Sequence, residues 1–202
     1  MTFIQALLLG ILQGATEFLP VSSSAHLVIF PHLLGWPDPG LAFDTLLHLG
    51  TLAAVVVYFR RDLWQLIVAA WDSLRRRKIE TPQARLAWLL VLATLPGALL
   101  GFLFEDQLGE IFGMPRAAAA FLLVTAALLA LSELLSRRAR ALEALTWRDA
   151  LVIGLAQALA IVPGLSRSGA TMATGLLLGY RREDAVRFSF LLAIPIVLGG
   201  GA

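Results

Sequence analysis

Apolar residues run almost unbroken over three stretches of the chain, 41–59, 86–104 and 116–135. Each is about as long as a helix must be to cross roughly 30 Å of hydrocarbon, so the pattern predicts three membrane-spanning helices. A weaker run, 63–71, carries Trp64 and Trp71 beside charged residues and predicts an interfacial helix with aromatic anchors. Two further regions, 1–36 and 149–180, are apolar overall but interrupted at mid-length by Gly, Pro, Ser and ionisable residues. Neither reads as a simple span.

The polar connections orient these elements, because inward-facing loops are enriched in Lys and Arg. Residues 60–85 hold Arg60, Arg61, Arg75, Arg76, Arg77, Lys78 and Arg85, whereas 105–116 hold only Arg116 beside Glu105, Asp106 and Glu110. The first connection is therefore expected inside and the second outside. Arg137, Arg138, Arg140 and Arg148 place the next connection inside again. The broken region 149–180 then lies between that basic segment and Arg181, Arg182 and Arg187, so both of its ends are expected on the same side. Such a segment is a re-entrant hairpin, tolerated only where its irregular backbone is buried in protein or lines a wet cavity. By the same reasoning residues 1–36 form a second hairpin, entering from the opposite side.

An internal repeat supports the opposition. GILQGATEFLPVSSSAHL from Gly10 aligns with GLAQALAIVPGLSRSGAT from Gly154, matching Gln13 with Gln157, Pro20 with Pro163 and the serines 22–24 with 166–168. FDTLLHLG from Phe43 lies against FSFLLAIP from Phe188 at nearly the same offset. The expected fold is an all-α polytopic membrane protein, one transmembrane domain over 1–202, built of inverted-topology repeats (1–104 and 105–202) that each contain a broken-helix hairpin. Its site should lie near the midplane where the halves meet. The second repeat has no counterpart to the later helices of the first, which predicts a truncated C-terminus.

Composition agrees: 58% of the 202 residues are hydrophobic, 15% are charged, and mean hydropathy is +0.80. The net charge of +2 comes from short basic clusters between apolar runs, which argues for topology signals rather than nucleic-acid binding. No cleavable signal peptide is evident. With no Cys, disulfides, thiolate metal sites and cysteine nucleophiles are excluded.

The chemistry is concentrated in the two breaks. Gln13 and Glu17 share a helix face before Pro20, and a carboxylate within an apolar segment is costly enough to suggest function. Ser22, Ser23 and Ser24 follow the break, where hydroxyls cap a new half-helix and its amides can meet an anion. His26, three residues after Ser23, suits a nucleophile–base pair or two phosphate contacts. In the second break Arg167 stands between Ser166 and Ser168, with Gly164 and Gly169 allowing close backbone approach and Thr171 following. A planar guanidinium, hydroxyls and a helix start suit phosphate oxygens; neutralising Glu17 is the rival role, compatible with the first. Asp44 and His48, one turn apart at the outer end of 41–59, read equally well as facing water or headgroups, and Glu133 reads as snorkelling. The set fits phosphate-ester chemistry on a lipid better than proton pumping. Oxygens of Glu17 and Gln13 with substrate phosphates would suit Mg²⁺ or Ca²⁺, and no zinc site is offered.

Gln13 to Glu17 as an (E/Q)xxxE motif, SSSAH at 22–26, and PGxSRSxxT at 163–171 make the chain closely resemble the bacterial undecaprenyl-diphosphatase, or bacitracin-resistance, family. The resemblance implies hydrolysis of undecaprenyl diphosphate to undecaprenyl phosphate, recycling the carrier lipid of peptidoglycan, in the bacterial plasma membrane at a site open to its outer face. It implies that Glu17, Ser23, His26 and Arg167 are catalytic, that Ser22, Ser24, Gly164, Ser166, Arg167, Ser168 and Thr171 bind the diphosphate, and that Gln13 and Glu17 hold the divalent ion. The attacking group stays open among Ser23 with His26 as base, His26 itself and water. The expected partners are a polyprenyl diphosphate lipid and the membrane, with no nucleic acid and with a second copy of the chain as a candidate. A polyprenyl-phosphate flippase is the alternative that the inverted repeat allows.

Overall fold

The computed structural model describes residues 1–111, 114–162 and 164–200, with side chains at all of these except positions 41, 104–111 and 200. Pro163 and the side chains of Glu105, Asp106 and Glu110, used in the motif and loop-charge readings, lie outside the described residues. The helices are α1 (Phe3–Phe18), α2 (Ser23–Leu34), α3 (Leu41–Tyr58), α4 (Arg60–Arg76), α5 (Pro82–Ile111), α6 (Pro115–Leu135), α7 (Trp147–Leu159), α8 (Arg167–Leu177) and α9 (Arg182–Gly200), with a 3₁₀ turn at Leu142–Ala144. Among the described residues the only strand-like pairing is an isolated bridge between Arg140 and Tyr180. The protein is an all-α polytopic membrane protein.

Pro82–Leu103 and Pro115–Leu135 are long and apolar enough to cross a bilayer, and only 22% and 17% of their apolar windows are buried. Their outward side chains, such as Phe102 and Leu123, are therefore left for lipid. The third expected span is α3, which meets α4 at a 77° bend. The helix expected at the interface is α4, longer than the run 63–71 suggested. Its polar flanks continue the same amphipathic turn pattern, with Leu66 and Ser73 buried and Trp64, Ile67 and Trp71 exposed. Ser73 accepts a hydrogen bond from Trp88 Nε1 at 2.8 Å, tying α4 to α5.

The two broken regions are helix pairs. At 1.5 Å per residue, α1, α2, α7 and α8 are each about 16–24 Å long, too short to cross alone. The second pair returns to where it began: Tyr180, just past α8, donates from its hydroxyl to Asp149 Oδ2 at the start of α7 at 2.6 Å. Arg140 joins the same carboxylate at 2.7 Å, and Thr146 caps α7 through a reciprocal capping box with Asp149. Burial pushes the Asp149 carboxyl upward, but its bonds from Arg140, Tyr180 and Thr146 outweigh this and hold it well below the ordinary carboxylate range. Nearby, Glu133 pairs with Arg138 and Arg182, and Asp62 pairs with Arg187. Glu133 thus has two guanidinium partners at this arginine-rich end instead of reaching only for the interface.

The core joins α5, α7 and α9 around Ala93, Ala150, Ile153, Leu191 and Leu192. Gly154 permits it, because a Cβ there would stand 2.4 Å from the Ala93 carbonyl oxygen. Gly154→Ala is expected to cost about 2 kcal/mol or more through overpacking. A lower thermal midpoint in detergent checks this; an unchanged midpoint would mean that α5 and α7 can separate without loss.

Candidate functional site

The tips of the two hairpins meet. A Cβ on Gly169, in the first turn of α8, would lie 3.0 Å from the Pro20 carbonyl oxygen in the break between α1 and α2. Across this contact Arg167 Nη2 donates to Glu17 Oε1 at 2.6 Å, joining residues 150 positions apart. Both side chains are largely buried, 24% and 16% exposed.

The local chain path produces this arrangement. Helix α1 stops at Phe18, and Ser22 at the start of α2 holds φ at 62°, a left-handed value that costs a non-glycine residue about 1 kcal/mol or more. The turn folds Ser23, the first residue of α2, back onto the end of α1. Ser23 Oγ donates to Glu17 Oε2 at 2.5 Å, and Gln13 Nε2 approaches the same oxygen at 3.4 Å from one turn earlier. Ser22 Oγ lies 3.2 Å from Ser24 Oγ and makes no capping bond, so the first amides of α2 have no side-chain cap. In the second hairpin Ser166 does cap, accepting from Gly169 N at 3.0 Å, while keeping the same 3.2 Å hydroxyl contact with Ser168. The two breaks repeat one design with one difference: the first leaves a helix start open.

The expected residues do not all face one point. Glu17, Ser23, Gln13 and Arg167 form one hydrogen-bonded group. Ser23 is paired with Glu17, while His26 Nδ1 donates to the Ser22 carbonyl at 2.7 Å; the helical spacing from Ser23 to His26 is realised without making them a pair. That bond fixes the His26 tautomer and leaves Nε2 available. Thr171 Oγ1 is buried 2.6 Å from Ser189 Oγ, tying α8 to α9 behind Arg167. Gly164, at φ 93°, presses on α6, where a Cβ would stand 2.6 Å from the Ala118 carbonyl oxygen. Thr125 of α6 completes the brace by accepting from Ser166 N at 3.0 Å.

His48 belongs with this group. Its Nε2 stands 3.8 Å from Glu17 Oε2, and its Nδ1 donates to the Asp44 carbonyl at 2.8 Å. Of the two readings open for the outer end of α3, the structure favours a place beside the site, because this end packs on α1 near Gly10 and Leu47. The one-turn spacing of Asp44 and His48 was visible in sequence; the identity of the helix facing them was not.

A divalent ion is a reasonable guest on the chemistry of the donors. Gln13 is fully buried, yet its Oε1 has no hydrogen-bond partner among the described residues, beside a carboxylate that can accept several contacts. Two oxygens of this kind, completed by phosphate oxygens and water, match how hard cations are commonly held. Among the described residues no group of three or more His, Asp or Glu forms a self-sufficient metal cage.

Comparison with known proteins agrees with this architecture. The family model described as bacitracin resistance protein BacA matches residues 6–202. The chain is 50% identical over 200 residues to the undecaprenyl-diphosphatase of Pelobacter propionicus, covering 98% of this chain and 73% of the relative. It is 51% identical over 201 residues to undecaprenyl-diphosphatase 2 of Stutzerimonas stutzeri and 47% identical over 199 residues to the undecaprenyl-diphosphatase of Moorella thermoacetica, each covering 98% of this chain and 74% of the relative. The chain belongs to the BacA bacitracin-resistance family.

Proposed function

We propose that this protein is a membrane-embedded hydrolase that cleaves undecaprenyl diphosphate to undecaprenyl phosphate and phosphate. The observation that carries the mechanism is the continuous link from Arg167 through Glu17 to Ser23, made by the two hairpin tips. It places a guanidinium, a carboxylate and a hydroxyl within one hydrogen-bonded unit where two largely apolar hairpins meet. The relatives' names supply the substrate class.

In the proposed reaction the terminal phosphoryl group enters beside Arg167 and the uncapped start of α2, whose amides and guanidinium donate to its oxygens. Ser23 Oγ attacks the terminal phosphorus as its proton passes to Glu17 Oε2. The bridging P–O bond breaks and undecaprenyl phosphate leaves with the bond's electron pair. Neutralised Glu17 loosens its hold on Arg167, which then serves the charge growing on the phosphoryl oxygens. Water hydrolyses the phosphoserine, and Ser23 recovers a proton. Gln13 and Glu17 would hold a divalent ion, Mg²⁺ or Ca²⁺, which when bound supplies positive charge to the phosphate oxygens. The site opens to the outer face of the plasma membrane on this reading, as the family resemblance implies, where lipid diphosphate released by glycan polymerisation would reach it.

Rapid-quench turnover of substrate labelled in its terminal phosphate tests the assignment. The expected result is an acid-stable phosphoserine at residue 23, with Ser23→Ala losing at least about a thousandfold in kcat. An acid-labile label on His26 would move the nucleophile there. Single-turnover incorporation of solvent oxygen without any labelled enzyme would assign the attack to water.

A further inference from the structure

We infer that His48 is a third ligand of the divalent-ion site, through Nε2, and that it shifts the site's preference toward ions that accept nitrogen, such as Mn²⁺. The inference rests on the reading of Gln13 and Glu17 as the ion-holding pair. Three features of the structure carry it. The Asp44 carbonyl can only accept, so the 2.8 Å contact fixes a proton on Nδ1 and leaves Nε2 as the ring atom with which His48 can meet an ion. Donation of the second ring N–H to a backbone carbonyl is the arrangement that orients metal-binding histidines. Nothing about an ordinary helical histidine requires that its other nitrogen face a carboxylate.

The separation is the second feature. At 3.8 Å, Nε2 and Glu17 Oε2 are too far apart for a hydrogen bond. Two atoms each about 2.1 Å from one ion stand about 3.0 Å apart at a right angle and about 4.2 Å apart when opposed, so the gap suits a shared cation. Both side chains are mostly enclosed, 15% and 16% exposed, so water screens the gap only weakly.

Gln13 supplies the third feature. Its amide donates to Glu17 Oε2 at 3.4 Å and leaves Oε1 orphaned in a fully buried side chain. Rotating the amide by half a turn exchanges the two atoms and brings an oxygen toward the carboxylate. That placement is repulsive unless a cation stands between them, and with a cation both the orphan and the long contact are resolved. Gln13 and Glu17 come from α1 and His48 from α3, and both Gln13 and His48 approach Glu17 at Oε2, whereas Arg167 takes Oε1. In the resting protein, before the Ser23 proton arrives, the carboxylate can therefore keep Arg167 on Oε1 while Oε2 meets the ion.

The test is electron spin-echo modulation of Mn²⁺ bound to the full chain in detergent or nanodiscs. Wild-type protein is expected to show modulation from a directly bound ¹⁴N, changing to the ¹⁵N pattern when histidine alone is isotope-labelled. The ¹⁴N signal should vanish in His48→Gln, persist in His26→Gln, and be accompanied in His48→Gln by about a tenfold or larger loss of Mn²⁺ affinity, with Mg²⁺ affected less. No nitrogen modulation in wild type, modulation that survives in His48→Gln, or loss confined to His26→Gln would each overturn the inference. The labelled wild-type measurement decides the matter even if the variant misfolds. Phosphate release from undecaprenyl diphosphate, assayed separately, tells failure of the hydrolase reading from failure of this one.

Discussion

Replacing Arg167 with Ala is expected to lower kcat by about 10³-fold or more, the range in which a guanidinium serving a phosphoryl transition state is commonly found. At 1.36 kcal/mol per decade this is about 4 kcal/mol of lost transition-state stabilisation. Arg167→Lys should recover only part of it, because an ammonium is a point charge without the planar fork that meets two oxygens together. The deletion carries a confounding cost: it strands Glu17, 16% exposed, without the partner on Oε1, and breaking one side of a buried pair destabilises by a few kcal/mol. The double variant Arg167→Ala with Glu17→Gln removes both charges. It should regain thermal stability relative to Arg167→Ala while remaining inactive, as read by melting in detergent and by phosphate release. Activity returning along with stability would mean that Arg167 serves the fold alone.

How much of this site can be read from residues alone depends on whether the signal is local. The long apolar runs declared α3, α5 and α6 because lipid leaves no alternative to a continuous helix. The two breaks were legible because Pro, Gly and clustered serines interrupt apolar sequence, and their repeat predicted that the tips face each other, as Arg167 and Glu17 do. A further sign of that repeat is readable in retrospect: Thr2 with Gln5 and Thr146 with Asp149 form the same capping box at the same positions of the two hairpins. Pairings across the break were not legible. Helical spacing suggested Ser23 with His26, but the left-handed backbone at Ser22 returns Ser23 to Glu17, and serine gives no warning of a positive φ. His48 was similarly hidden, since a one-turn spacing defines a face but not its neighbour. That neighbour is α1, against which α3 packs near Leu47.

Glu17→Gln is expected to separate binding from turnover. The substitution keeps the shape and leaves an amide oxygen for Ser23 to meet, but it removes the acceptor for the hydroxyl proton, a function typically worth about 10²- to 10⁴-fold in rate. In the native protein Arg167 is already held by Glu17 at 2.6 Å, so a diphosphate must compete with the carboxylate for the guanidinium. A neutral amide releases that hold. Measured without divalent ion, a non-hydrolysable diphosphate analogue should therefore bind Glu17→Gln more tightly than it binds the native protein, even as kcat collapses. Adding divalent ion should narrow the difference, because the same substitution takes a charged ligand from the ion. Weaker binding in the ion-free comparison would show that Glu17 prepares Arg167 for the substrate instead of competing with it, and the release of Arg167 on protonation of Glu17 would have to be abandoned. Tighter binding with low turnover would tie the cost of keeping a carboxylate in an apolar tip to its use: it holds the guanidinium in place until the Ser23 proton arrives.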